Sequence, residues 1–302
     1  MQHFSIPITL NESIFRHTSW ATRRALVFES LTRTGTRHKR LESFANCGSC
    51  STCEQTTDDV RIRGSSCHHA LCEPCRQERA AKIRATLHDL CFGRTVRFLT
   101  LTLRHSQTPL SDQIDRLYRS FSTLRRRKSW TENCTGGAAF LEVKLSSTDG
   151  LWHPHLHILL EGQWWDAREI SKEWHAVTGD SSIIDITRPR VVEDVCRYAV
   201  GYCTKTVDAG IWLIPDKLDE CVCALRGRRM CLTFGTWRGT PLEPDIPDDR
   251  VWATLGSIDI VLRRAADGVA ACVEWLARAA SKYKSIWELA LPQPTDSATD
   301  PP

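Results

Sequence analysis

The residues best suited to chemistry sit in "WHPHLHILLEG", from Trp152 to Gly162. His153, His155 and His157 occupy alternate positions, and apolar residues follow. Residues two apart on a strand share a face, so His155 and His157 point together, about 7 Å apart along the backbone. Imidazoles at that spacing can converge on one metal ion. The preceding stretch "FLEVK" offers Glu142 as a third ligand, provided the two segments pair as a hairpin. Two histidines and a carboxylate leave coordination positions open for water or substrate oxygens, which suits Mg²⁺, Mn²⁺ or another hydrolytic metal. The plain alternative is a packed, hydrogen-bonded strand histidine, and it fits a ladder less well than a single residue. His153 is a lesser candidate, because Pro154 marks a strand start.

A second set lies in "RYAVGYCTK". Tyr198, Tyr202 and Lys205 share one face if this segment is a helix. A phenol titrates near pH 10, so it is a poor nucleophile unless its phenolate is stabilised. A nearby ammonium or metal ion does that. Attack on a phosphodiester would leave a phosphotyrosine ester. Alone, the segment reads rather as a helix burying two aromatics, with Lys205 favoured by the dipole at its C-terminal end. Beside a metal set, it points to a metal-assisted nuclease with a tyrosine nucleophile.

Six of the fourteen cysteines crowd between Cys47 and Cys75. Their spacing is C-x2-C-x2-C, then C-x4-C-x2-C, and crowded reduced cysteines suggest a metal. Cys72 and Cys75 form one knuckle. Cys50 and Cys53, or a pair that includes Cys47, complete a structural zinc site of four thiolates, and Cys67 or His68 could replace one ligand. Unliganded thiols are the alternative.

These groups need elements to position them. "PCRQERAAKIRATLHDLCF" reads as a helix and "RTVRFLTLTLRHS" as a strand. "TPLSDQIDRLYRSFSTLRRRK" is an amphipathic helix with Leu110, Ile114, Leu117, Phe121 and Leu124 in its apolar stripe. "GGAAFLEVKLS" and "LWHPHLHILLEG" are strands joined by the turn "STDG". "WDAREISKEWHAVTG" is a helix ended by Gly179. "SIIDIT" and "RRMCLTFGTW" are further strands. The order predicts an α+β fold, an antiparallel sheet with helices packed on one face, preceded by the cysteine-rich segment. Five regions follow: a basic N-terminal arm at 1–46, the zinc segment and its helix at 47–92, a catalytic domain at 93–240, a mainly helical region at 241–291 and a disordered tail at 292–302.

Composition is that of an ordinary globular chain, with 41% hydrophobic and 25% charged residues. A net charge of +4 does not by itself announce a nucleic-acid binder. The basic runs at Arg125–Lys128 and Arg226–Arg229 are local. No apolar run reaches membrane-spanning length, and the N-terminus lacks a signal-peptide pattern, so a cytoplasmic protein is expected.

Three motifs in order carry a family resemblance: "FLTLT" at Phe98–Thr102, "HPHLHILL" at His153–Leu160 and "YAVGYCTK" at Tyr198–Lys205. With them the chain resembles the HUH endonucleases, and among these the rolling-circle replication initiators of plasmids and phages. The cysteine segment and "LRGRRMCLTFGTWRG" are also similar to parts of the plasmid initiators. The resemblance implies a ferredoxin-like palm and a metal held by His155, His157 and Glu142. It makes Tyr202 the nucleophile, forming a 5′-phosphotyrosine adduct and a free 3′-OH primer. Lys205 would assist, and the spacing of Tyr198 matches initiators that use a second tyrosine. The implied partners are single-stranded or hairpin origin DNA, a host helicase and a host DNA polymerase, in a bacterial or archaeal cytoplasm. A two-tyrosine transposase and a non-catalytic zinc DNA-binding protein are the competing readings.

Overall fold

The computed structural model describes residues 18–48, 51–146, 148–189, 209–243 and 249–282. The chain divides into two compact units, one formed by residues 1–25, 38–67 and 247–302, the other by 26–37 and 68–246. No helix among the described residues is long and apolar enough to cross a membrane.

The larger unit is built on a five-stranded antiparallel sheet. Its strands are β3 (Val96–Thr102), β4 (Cys134–Leu145), β5 (Trp152–Gly162), β6 (Ile184–Thr187) and β7 (Cys231–Gly235), in the order β6-β3-β5-β4-β7. The three central strands, β3, β5 and β4, alternate between two buried faces. On one, Val96, Phe98, Ala138, Phe140 and Leu159 pack with Ala80, Ile83 and Leu87 of α3 (Glu73–Cys91). The spacing of those helical residues turns one stripe toward the sheet. On the other face lie the intervening residues Leu99, Leu101, Leu141, Val143, Leu156 and Ile158, all buried. There α4 (Leu110–Leu124) packs on β5 and on α6 (Ala167–Thr178). The antiparallel α+β expectation therefore holds, but helices cover both sheet faces rather than one. α3 was read only as the helix of the cysteine segment, although its apolar stripe has to be buried somewhere.

Local sequence explains the boundaries. Asp166 caps α6 by accepting from the Arg168 N–H at 2.8 Å, and Gly179 ends it in the left-handed region at φ 82°. α5 (Lys128–Asn133) carries Trp130 into an aromatic cluster with Phe121, Trp165 and Phe234. A 3-10 turn at Ala209–Leu213 leads into α7 (Pro215–Leu225).

The smaller unit has a three-stranded antiparallel sheet of order β2-β1-β8, formed by β1 (Thr52–Gln55), β2 (Val60–Arg63) and β8 (Ala253–Ser257). α8 (Ile258–Ala266) and α9 (Ala270–Lys282) cover it, with Cys53, Val60, Ile258, Val261, Cys272 and Trp275 in the core. β8 falls in a region read as helical. N-terminal to this sheet, α1 (Thr18–Arg33) and α2 (His38–Ala45) occupy part of the stretch read as an arm. The C-terminal tail lies outside the described residues.

Candidate metal centre

β4 and β5 pair antiparallel with Glu142 opposite His155 and Phe140 opposite His157. This register puts Glu142, His155 and His157 on one face of adjacent strands, and their ligand atoms lie within 4.8 Å of one another. Glu142 and His157 are buried, at 2% and 4% exposure. The face continues below them as the apolar contact with α3, so the sheet is dry at one end of this face and polar at the other.

The hydrogen bonds fix the ring of His157. Its Nε2 is 2.8 Å from Oε2 of Glu142 and its Nδ1 is 3.2 Å from Oγ1 of Thr100. A carboxylate only accepts, so Nε2–H donates to Glu142 and Nδ1 accepts from the Thr100 hydroxyl. The same carboxylate oxygen also meets Nζ of Lys144 at 3.0 Å. Burial pushes the Glu142 carboxyl up, but the hydrogen bonds from His157 and Lys144 outweigh it and leave the group below its ordinary value.

His155 is held differently. Its Nε2 is buried with no hydrogen-bond partner. Burial, with repulsion from His153 and His157, lowers its pKa to about 3, so the ring is neutral at physiological pH. A neutral imidazole whose proton sits on Nδ1 offers such a buried, unengaged Nε2 to a metal ion with no proton displaced. With an ion present the His157 proton would sit on Nδ1 and donate to Thr100 Oγ1, freeing Nε2, and the two Nε2 atoms with the Glu142 carboxylate then fit a divalent ion.

His153 stacks edge-on against His155, with ring centroids 4.2 Å apart, and against His105 at 4.3 Å. His105 Nδ1 in turn lies 3.1 Å from Oδ2 of Asp149. His153 is thus a flanking ring outside the three-residue group. Thr100 and Lys144 were not singled out from the sequence. Their positions opposite His157 and His153 follow directly from the strand register.

The cysteine segment forms its own cluster. The sulfurs of Cys47, Cys67, Cys72 and Cys75 lie within 4.8 Å of one another and could bind zinc. Cys72 and Cys75 sit at the N-terminal end of α3, where the helix dipole favours thiolates. Cys67 occupies a ligand position that the sequence reading gave first to Cys50 or Cys53. Cys53 is fully buried on β1 among Val60, Cys272 and Trp275, where burial raises its thiol to about 12. A strand residue turned into an apolar core cannot also face the knuckle. Cys50 lies outside the described residues, as do Tyr198, Tyr202 and Lys205 and the helix expected to carry them.

Comparison with known proteins matches residues 60–168 to the replication protein family. A protein described as "Protein rep" from Lactiplantibacillus plantarum is 28% identical over 132 residues, which are 40% of this chain and 42% of that relative. The chain therefore spans less than half the length of this relative. None of the solved structures gives a significant match. The resemblance to replication initiators drawn from the motifs is borne out by both comparisons. The family match contains Cys67, Cys72, Cys75, Thr100, Glu142, His155 and His157, and it ends before Tyr198.

Proposed function

We propose that this protein initiates rolling-circle replication of a plasmid-type replicon by nicking single-stranded or hairpin origin DNA with Tyr202. The observation that carries the reading is the convergence of Glu142, His155 and His157 within the stretch that matches the replication protein family.

In this reading the three side chains hold Mg²⁺ or Mn²⁺. The ion would supply Lewis-acid charge to a non-bridging oxygen of the scissile phosphate. The chain's own groups do the rest. Thr100 fixes the His157 ring, and Lys144 shares the charge of Glu142. The Tyr202 oxygen forms a bond to phosphorus in line with the bond to the 3′ oxygen, which breaks. The phenol proton passes to solvent, eased by the Lys205 ammonium, and the departing 3′ oxygen is protonated to a hydroxyl. Tyr202 then carries the 5′ phosphate, and the 3′-OH is left as a primer for a host polymerase behind a host helicase. Attack by that hydroxyl on the phosphotyrosine reverses the step and rejoins the strand. Tyr198, four residues before Tyr202 in the sequence, would take a second transfer.

The sulfurs of Cys47, Cys67, Cys72 and Cys75 hold a structural Zn²⁺ in the same account. A cytoplasmic location agrees with reduced cysteines. The test is nicking of a supercoiled plasmid bearing the protein's own origin, with Mn²⁺ and with chelator. Metal-dependent open circles lost in Glu142→Ala and His157→Ala support the reading. Nicking that persists in both variants refutes the metal assignment.

A further inference from the structure

A cationic cleft lies along β7, the strand at one edge of the five-stranded sheet. Its cavity of about 440 Å³ is lined by Arg125, Leu232, Thr233, Gly235 and Arg238. A second cavity of about 320 Å³ shares Arg125 and Leu232 with it and extends past Arg229. Leu232 pairs with Ala139, which alternates with the residues of the histidine face. Thr233, which pairs with Ala138, turns to the histidine face, so the cleft runs along the sheet edge with residues from both faces, and none of its lining belongs to the metal group.

The arginines of this cleft differ from their neighbours. Arg94, Arg116, Arg127 and Arg228 are each paired with a carboxylate: Glu161, Asp180, Glu173 and Asp115. Arg125 and Arg238 have no carboxylate partner or side-chain hydrogen bond among the described residues. Arg125 lies over the rings of Phe121 and Phe234, at 4.9 and 5.5 Å, which fixes its guanidinium at the cleft wall. Its Nε is buried with no acceptor. A buried donor without a partner is costly unless a ligand completes it. Burial, and then repulsion from Arg238 and Arg126, also disfavours its charged form. Two unpaired guanidiniums facing one cavity want a multivalent anion, and their planar forks match phosphate oxygens.

We propose that this cleft takes a phosphodiester group of the DNA backbone, so that the protein grips DNA along the β7 edge of the sheet. DNA is the source favoured here because the two cavities run on from one another along the strand edge, as a backbone would. The inference rests on the DNA-directed reading above. A grip on the edge strand would hold the duplex arm of the origin while a single strand reaches the nicking centre.

The test is fluorescence anisotropy of the full chain on labelled origin DNA, in chelator, across a salt series. Arg238→Gln and Arg125→Gln each weaken binding by about 3- to 10-fold, and together they reduce the slope of log K against log salt by about 1 to 2. Arg264→Gln, an equal charge change on α8, leaves both unchanged. Arg238 is exposed, so its variant keeps the test open if Arg125→Gln unfolds. Equal weakening by Arg264→Gln, or no effect of Arg238→Gln, overturns the proposal. So does loss of binding to a free nucleoside triphosphate with DNA affinity intact, which would make the ligand a soluble phosphate. Failure of the wild type to bind DNA refutes the functional reading and this one together. Normal wild-type binding untouched by the cleft variants refutes only this one.

Discussion

Glu142 stands opposite His155 in the β4–β5 register, yet its carboxylate reaches diagonally to His157, 2.8 Å from Nε2. His157 is held on both nitrogens and His155 on neither side at Nε2. One ligand is oriented in advance and the other keeps its lone pair unengaged. That asymmetry is what a site awaiting a cation should show.

The Thr100 hydroxyl should matter to metal binding without being a ligand. Thr100→Val removes the hydroxyl that meets His157 Nδ1 while keeping the strand shape. Mn²⁺ affinity by calorimetry should fall about 10-fold or more, as for other groups that orient a ligand. Unchanged affinity would mean the ring is fixed by packing alone.

The cysteine ligand set makes a second prediction. Cys67→Ser and Cys72→Ser should each lower the zinc content of purified protein, measured by elemental analysis. Cys53→Ala should keep the zinc and lose stability instead, because Cys53 lies in an apolar core at 0% exposure. Zinc lost from Cys53→Ala and kept in Cys67→Ser would restore the set first expected from spacing.

Much of the centre was legible in the sequence because a strand writes its face in alternate residues. The convergence of Glu142 with two histidines follows from a period of two and the hairpin from the turn between the strands, whereas that period alone would keep His153 with the other two. α1 was not legible for a related reason. Its buried positions include Arg24 and Ser30 beside Val27 and Leu31, so the apolar stripe is interrupted. Arg24 is buried because its guanidinium donates to the carbonyls of Phe44 and Ala45 at the end of α2, at 2.9 and 3.1 Å. β1 and β8 were missed because TCEQ and ATLGS lack the apolar content that marked the equally short β6 and β7, and β2 alternates over four residues only. The choice of Cys67 over Cys53 depended on β1 turning Cys53 inward, which spacing does not encode.

The smaller unit should lose stability in acid through Asp59. Its carboxylate accepts from Lys282 at 2.7 Å and from Arg250 at 3.0 Å, tying α9 and the segment before β8 to the β1–β2 turn. Lys282 is the main cause of a pKa lowered from 3.8 to about 2. The folded value lies below the unfolded one, so the contribution is full above pH 3.8 and disappears as pH falls toward 2. Partial exposure should keep the effect below about 1 kcal/mol. Urea midpoints of Asp59→Asn should fall less than those of the wild type between pH 5 and pH 2.5. Parallel curves would contradict the assignment.

Gly137 lets β4 and β5 approach. A Cβ there would sit 2.1 Å from the carbonyl oxygen of Leu159 and 2.8 Å from Cζ of Phe234. Backbone on the partner strand cannot give way as a flexible side chain can. Gly137→Ala should destabilise the larger unit by about 2 kcal/mol or more, read as a lower melting temperature. An unchanged melting temperature would show that the strands are further apart than described.

The central claim is that Tyr202 attacks DNA at a centre built by Glu142, His155 and His157. Its most direct measurement is mass spectrometry of the protein after incubation with single-stranded origin oligonucleotide and Mn²⁺, followed by peptide mapping of the adduct. A 5′-phosphotyrosine on Tyr202 is expected, absent in Tyr202→Phe and in His157→Ala. An adduct that survives Tyr202→Phe, or a wild type that forms none on any oligonucleotide from its own origin, would contradict it.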